Sequence, residues 1–345
     1  MADPILSVRG LKTQFFGPEG VVRAVDGVDF DVFEGRTLGV VGESGCGKSV
    51  TARSVLGIVD RPGRVVGGSM KLRRAAGDVI DLSTLTNEQM RKIRGPEIAL
   101  VFQEPMASFS QHYTIGNQIG EGIKLHMGLD ERAAKKRAIE LLDMVGVPQP
   151  SRRVDDYPFQ LSGGLRQRVM IAMALACDPR VLIADEPTTA LDVTTQAQIL
   201  DLLRQLQRDR GLAIILITHD MGVIAEMAHD VSVMYLGRAV ETGPVKQIFE
   251  APRHPYTRAL LRSIPTVLAK PRTRLPTIAG SIPHPFDRPK GCAYHPRCAE
   301  IIGAVCEGAE PPPTDMPDGR QVRCFLHGGM DEAKAELGAS VGASA

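Results

Sequence analysis

The chain has almost no net charge, since 41 Lys and Arg residues against 40 Asp and Glu leave a formal +1 at pH 7. No long-range field therefore draws it to nucleic acid or anionic lipid, and a nucleic-acid function starts disfavoured. It also lacks any apolar stretch near the roughly 20 residues that span a bilayer. Met1 to Gly10 has neither the basic nor the apolar region of a signal peptide. These absences predict a chain that stays in the cytoplasm, where disulfides are disfavoured. No internal repeat is visible, which sets repeat architectures aside. What remains is 43% hydrophobic and 23% charged over 345 residues, an ordinary soluble composition with room for one large domain and a smaller one.

The most informative segment is Gly42-Glu43-Ser44-Gly45-Cys46-Gly47-Lys48-Ser49, which follows the apolar run Leu38 to Val41 and opens the apolar-periodic run Val50 to Leu56. Strand, glycine-rich loop and helix in that order make a phosphate cradle. The glycines let successive N–H groups point inward, the helix offers its positive end, Lys48 reaches the outer phosphates and the Ser49 hydroxyl can ligate Mg²⁺. A nucleoside triphosphate fits this loop.

Residues 5 to 33 alternate apolar and polar and predict an antiparallel β-layer. Ile98–Phe102, Val181–Ala184 and Leu212–Ile217 read as buried strands, separated by helical patterns over 130–145 and 194–208. Alternating strand and helix implies an α/β fold with a parallel sheet. Residues 83–170 read mostly as helix and suggest a helical subdomain inserted in a nucleotide-binding domain of residues 1–250. From 251 to 330 prolines recur and predict a loop-rich extension with little core of its own, and 331–345 reads as a tail.

Val181 to Ala184 ends in Asp185-Glu186, so a buried strand delivers two carboxylates to the sheet edge where ligands bind. Asp185 would hold Mg²⁺, and Glu186 could take a proton from the attacking water. Leu161-Ser162-Gly163-Gly164 turns into a second helix N-terminus suited to anions. Gln103 ends one strand, Ala190-Leu191-Asp192 follows the acidic pair, and Thr218-His219-Asp220 ends the next strand.

With these motifs in this order, over about residues 5 to 265, the sequence resembles the ATP-binding subunits of ABC transporters. The resemblance implies an ABC ATPase fold: a P-loop core, an antiparallel β-subdomain and an inserted helical subdomain. It implies that Gly42 to Val50 bind ATP and that Asp185, Ser49 and Gln103 serve Mg²⁺, with Gln103 also linking to the membrane subunit. Lys48, Glu186, His219 and Gln103 would be catalytic. Ser162, Gly163, Gly164 and Asp192 would serve the ATP of an opposing subunit in a head-to-tail dimer with an identical or paralogous ATPase. Phe15 would stack on adenine, with Phe16 as competitor.

Ala184 to Thr194, Tyr157-Pro158 and His254-Pro255-Tyr256-Thr257-Arg258-Ala259-Leu260-Leu261 look like the oligopeptide and dipeptide importer ATPases. That implies peripheral placement on the inner face of the cell membrane, two permease subunits, an extracytoplasmic solute-binding protein and a peptide cargo. Nickel, opines and glycosides are the alternative solutes. A soluble ABC-type ATPase acting on nucleic acid or ribosomes is the rival class, disfavoured by the neutral charge. Met106 and Phe109, just past Gln103, read as exposed apolar candidates where a permease helix docks, with packing inside the helical subdomain as the alternative.

Cys292, Cys298, Cys306 and Cys324 are separated by 5, 7 and 17 residues, without the close pairs of common zinc fingers. Four thiolates suit Zn²⁺ or a [4Fe–4S] cluster, and His295 and His327 widen the zinc option. The resemblance to peptide-importer ATPases favours the cluster, with free or simply buried thiols as the remaining alternative beside zinc. Either group is expected to brace the proline-rich extension while leaving the nucleotide site, in its separate domain, undisturbed. Cys46, in the phosphate loop, is a candidate for alkylation that ATP would block.

Overall fold

A computed structural model describes residues 3–104, 108–189, 191–264 and 277–335. The alternation near the start folds as an antiparallel hairpin of Leu6–Gly17 (β1) and Gly20–Val32 (β2). Val8, Leu11, Val25, Val28 and Phe30 turn into one core while their neighbours face outward, the period-2 pattern of a sheet wet on one side. Gly63–Arg73 (β4) pairs antiparallel with β1, and Val79–Asp81 (β5) with β4, completing a four-stranded layer in the order β2-β1-β4-β5.

Among the described residues the second sheet has eight strands. Its parallel part is Asp230–Tyr235 (β9), Thr37–Val41 (β3), Ala213–Ile217 (β8), Val181–Asp185 (β7) and Ile98–Val101 (β6), in that spatial order. β3, β7 and β8 are buried at every position, which is why the sequence shows them as unbroken apolar runs. Arg238–Pro244 (β10), Gln321–Val322 (β12) and Thr314–Asp315 (β11) extend the sheet antiparallel beyond β9.

Helices cover the sheet where periodicity and caps predicted them. Glu131–Met144 starts at Asp130, whose carboxylate accepts from Ala133 N–H, and Val193–Arg210 runs from Asp192 to Gly211. Between 83 and 170 lie the helices Asn87–Ile93, Ile115–Met127, Glu131–Met144, Pro150–Arg153 and Gly163–Ala174, interrupted by β6. Ile119, Ile123, Ala138, Leu141 and Leu142 are fully buried between them. Each large aliphatic among these contributes about 1.5–3 kcal/mol through burial.

Two expectations change. Phe109 is not exposed; it is buried in the same core as Ile115 and Ile119. Its aromatic surface is worth more inside the helical layer than at a surface awaiting a partner. Met106 lies outside the described residues, as do Ala190, 265–276 and the tail from 336. The extension, moreover, is not packed apart from the core. β12 pairs with β10, and Tyr294 packs against Tyr235 and Tyr256 with ring centroids 5.2 and 5.3 Å apart. A private cluster of Val305, Cys306, Phe325 and Ala333 is small, so the segment borrows the main core for its burial.

Candidate functional site

The loop 42–49 joins β3 to the helix Lys48–Val55. Gly42 has φ 150° and Gly47 φ 101°, and both are closely backed. A Cβ on Gly42 would stand 2.2 Å from the Met234 carbonyl oxygen, and one on Gly47 2.2 Å from that of Ala24. Only glycine fits either place. Lys48 is buried, and its Nζ donates to the carbonyls of Gly42 at 2.8 Å and Glu43 at 3.2 Å. Ser44 and Gly45 form the exposed rim; Val50 is half-buried behind it.

β7 delivers Asp185 to the loop, where it accepts from the Ser49 hydroxyl at 3.0 Å. Burial pushes the Asp185 carboxyl above its ordinary range, and the neighbouring Glu186 charge adds to that, against the Ser49 hydrogen bond and the Arg53 and Lys48 charges. A buried carboxylate and a hydroxyl, both hard oxygen donors, fit Mg²⁺.

Glu186 has left-handed backbone at φ 48°, a strained geometry for a side chain of its kind. Its N–H is tied to the Ile217 carbonyl at 2.8 Å, and the turn aims its carboxylate into a polar cluster. Thr189 donates to Oε2 at 2.8 Å, Gln103 Nε2 donates to Oε2 at 3.2 Å, and His219 Nδ1 lies 3.2 Å from Oε1. Gln103, Glu186 and His219 follow β6, β7 and β8, so the carboxyl ends of three parallel strands meet at one proton acceptor.

The remaining predicted residues sit elsewhere. Ser162 caps the helix Gly163–Ala174 by accepting from Leu165 N–H at 3.4 Å. Gly164 packs on Thr195, where a Cβ would fall 2.7 Å from Cγ2. Asp192 accepts from Thr195 N–H at 3.0 Å and its hydroxyl at 2.7 Å, and the hydroxyl contact foremost lowers the Asp192 pKa. The Ser162 turn and Asp192 therefore share one surface. Among the described residues no hydrogen bond or ion pair joins that surface to the loop 42–49 of the same chain. Phe15 is half-buried, its ring beside Gly63, where a Cβ would come within 2.6 Å of it; Phe16 instead lies under the Arg64 guanidinium, 4.4 Å from the ring centroid.

Two residues at the loop were missed. The Tyr256 hydroxyl accepts from Glu43 N–H at 2.9 Å, and Arg297 grips the Glu43 carboxylate. Tyr256 stood in a quoted motif without a role; Arg297 carried no signal beyond its place before Cys298. Cys46 corrects an expectation. It is 2% exposed, and burial above all raises its thiol pKa, so in this structure it packs as a small apolar residue and the geometry weighs against alkylation.

Cys292, Cys298, Cys306 and Cys324 line one small pocket with His254 and Phe325. Burial above all raises the Cys292 thiol to about 11 and the Cys324 thiol to about 12, and neighbouring cysteines of the group add to both. Backbone N–H groups of Glu300 and Ile302 donate to the sulfurs of Cys298 and Cys306, each at 3.4 Å. The donor set fits a thiolate-held group. Among the described residues, however, no three His, Cys, Asp or Glu side chains are arranged to hold a metal ion.

Residues 25–189 match the family model described as ABC transporter, and 240–306 match the oligopeptide/dipeptide transporter C-terminal region. The dipeptide transport ATP-binding protein DppD of Escherichia coli is 46% identical over 329 residues, covering 95% of this chain and 98% of that protein. The chain belongs to the ATP-binding proteins of ABC transporters, in their oligopeptide/dipeptide branch. A Brucella melitensis protein named for peptide import and ATP binding is 49% identical, with 94% of this chain and 97% of that protein covered. The ATP-binding cassette MJ0796, solved as a dimer in a post-hydrolysis state with ADP and Pi, matches with TM-score 0.62 and 26% identity over 70% of this chain and 98% of that one. In this ABC protein the C-terminal family segment begins within β10, the strand that receives β12. Among the described residues no helix is long and apolar enough to cross a membrane.

Proposed function

We propose that the chain hydrolyses ATP to drive peptide import through two partner permeases, from the inner face of the membrane, with a solute-binding protein delivering cargo. The observation that carries the reading is the meeting of Gln103, Glu186 and His219 beside a loop that only glycine can build. Gly42 to Val50 cradle the phosphates and Phe15 stacks on the base. Lys48, now folded onto the Gly42 and Glu43 carbonyls, turns to the outer phosphates when nucleotide enters. Ser49, Asp185 and Gln103 would hold Mg²⁺, whose charge offsets that of the phosphates. Glu186 takes the proton of the attacking water, Thr189 and Gln103 fix its orientation, and His219 contacts the outer phosphate.

Among the described residues Ser162, Gly163, Gly164 and Asp192 make no hydrogen bond or ion pair to their own loop 42–49, which supports their serving the nucleotide of an opposing ATPase. On this reading residues 1–250 are the nucleotide-binding domain, 83–170 its helical subdomain and 251–330 the extension. The exposed Tyr157 and Phe159, stacked at 5.6 Å, replace Phe109 as apolar candidates beside the helical layer for permease contact. The near-zero charge weighs against the nucleic-acid rival.

Uptake by proteoliposomes holding the chain, its permeases and the binding protein tests the reading. ATP-dependent entry of a labelled dipeptide is the expected result. Uptake of nickel, an opine or a glycoside in its place moves the cargo, and absence of ATP hydrolysis refutes the whole. For the four cysteines the proposal is a structural [4Fe–4S] cluster, with zinc as the alternative. Anaerobically purified protein should be brown with about four irons per chain; stoichiometric zinc would falsify the cluster.

A further inference from the structure

Glu43, the second residue of the phosphate loop, is held by two groups from beyond residue 250. Arg297 Nη1 and Nη2 donate to its two carboxylate oxygens at 2.8 and 3.0 Å, a two-point grip. The Arg297 side chain is 3% exposed and the Glu43 side chain 23%, so the pair is shielded from water. Arg297 Nη1 also donates to the Tyr235 hydroxyl at 3.3 Å, and Nε donates to the Ala279 carbonyl at 3.0 Å. The Glu43 N–H meanwhile donates to Tyr256, which is fully buried. Neither the carboxylate nor the backbone of Glu43 can shift unless these partners shift.

Arg297 stands in a tight turn between two cysteines. His295 N–H donates to the Cys292 carbonyl at 3.0 Å, Arg297 N–H to the Tyr294 carbonyl at 3.0 Å, and Cys298 N–H to the His295 carbonyl at 3.1 Å. A displacement of Cys292 or Cys298 is thereby passed to the guanidinium. The electrostatic consequence is direct. The loop binds an anion through its N–H groups, and an unpaired Glu43 carboxylate there would oppose the incoming phosphates. Arg297 neutralises that charge and holds it at the rim.

We infer that Arg297 is a positioning residue for the phosphate loop, through which the placement of the Cys292–Cys298 turn sets the affinity for nucleoside triphosphate. The inference rests on the ATP site proposed above and overturns the expectation that the cysteine segment leaves that site undisturbed. By linkage, bound nucleotide must steady the turn by the same factor that the turn strengthens binding.

The test titrates the full chain with a fluorescent ATP analogue and measures hydrolysis in parallel. Arg297→Gln is expected to weaken binding about tenfold and to raise KM for ATP by more than it lowers kcat, whereas a fold defect would lower kcat and melting temperature together. With Glu43 already changed to Gln, the effect of Arg297→Gln should shrink below about twofold, because the partner is gone. Cys298→Ser should weaken binding in the parent and add nothing in the Arg297→Gln background. Unchanged affinity in Arg297→Gln, additive effects in the cycle, or unchanged affinity in Cys298→Ser each overturns the inference. Should Arg297→Gln fail to fold, Arg297→Lys decides, since it keeps the charge and loses the two-point grip: severalfold weaker binding supports the role and parental affinity refutes it. A parent chain that binds no nucleotide sinks the ATP reading instead, an outcome distinct from all of these.

Discussion

Glu186→Gln removes a proton acceptor and little else. Gln has the same branching at Cβ, so the backbone strain at φ 48° is unchanged. The amide oxygen, standing where Oε2 stands, still accepts from Thr189 at 2.8 Å and from Gln103 at 3.2 Å, and the contact of Oε1 with His219 Nδ1 at 3.2 Å is the one placed at risk. That single polar contact is worth under about 1 kcal/mol, so the melting temperature should barely move. The catalytic loss is much larger. A positioned base contributes about 10²- to 10⁴-fold, or about 2.7–5.4 kcal/mol at 1.36 kcal/mol per factor of ten. Phosphate release should fall by that factor while analogue binding survives, and ATP should then hold the protein as a dimer in size-exclusion chromatography. Hydrolysis within tenfold of the parent would refute Glu186 as the base. An inactive mutant that binds ATP yet stays monomeric would refute the composite site.

Three further outcomes follow from the packing. Gly42→Ala should cost at least about 2 kcal/mol and abolish nucleotide binding, because its Cβ would meet the Met234 carbonyl at 2.2 Å; parental stability in urea would contradict this. Phe109→Ala should destabilise by about 3–5 kcal/mol and lower ATPase and transport together, whereas selective loss of transport would restore it as a docking residue. Asp26 is paired with Arg238 at 2.9 Å and Arg288 at 2.8 Å; burial raises its pKa, but the Arg238 hydrogen bond and the two charges outweigh this and leave it below its ordinary 3.8. Its stabilisation is therefore complete above the unfolded value and fades as pH falls below it. Urea midpoints between about pH 5.5 and 3 should drop less steeply in Asp26→Asn, and equal slopes would refute the assignment.

The sequence alone determined the parts whose cause is local. The loop 42–49 was legible because glycines at fixed places and a lysine at a helix start are demanded by backbone geometry within a few residues. The three buried strands were legible because burial on both faces removes alternation, and the helices because Asp130, Asp192 and Gly211 cap them. The family's motif order then supplied the roles expected of Gln103, Asp185, Glu186 and His219.

Tertiary structure decided what depends on where distant segments meet. Phe109 has the composition of a docking residue, and only the packing of the helices around it shows that it is core. The extension was expected to stand apart because its prolines hide any pattern of pairing. In the fold, β12 joins β10, and Arg297 reaches Glu43 across 254 positions of sequence. No periodicity or spacing encodes such a pair. Each partner alone is an ordinary charged residue, and the contact exists only because the order of strands brings the cysteine turn back over the phosphate loop.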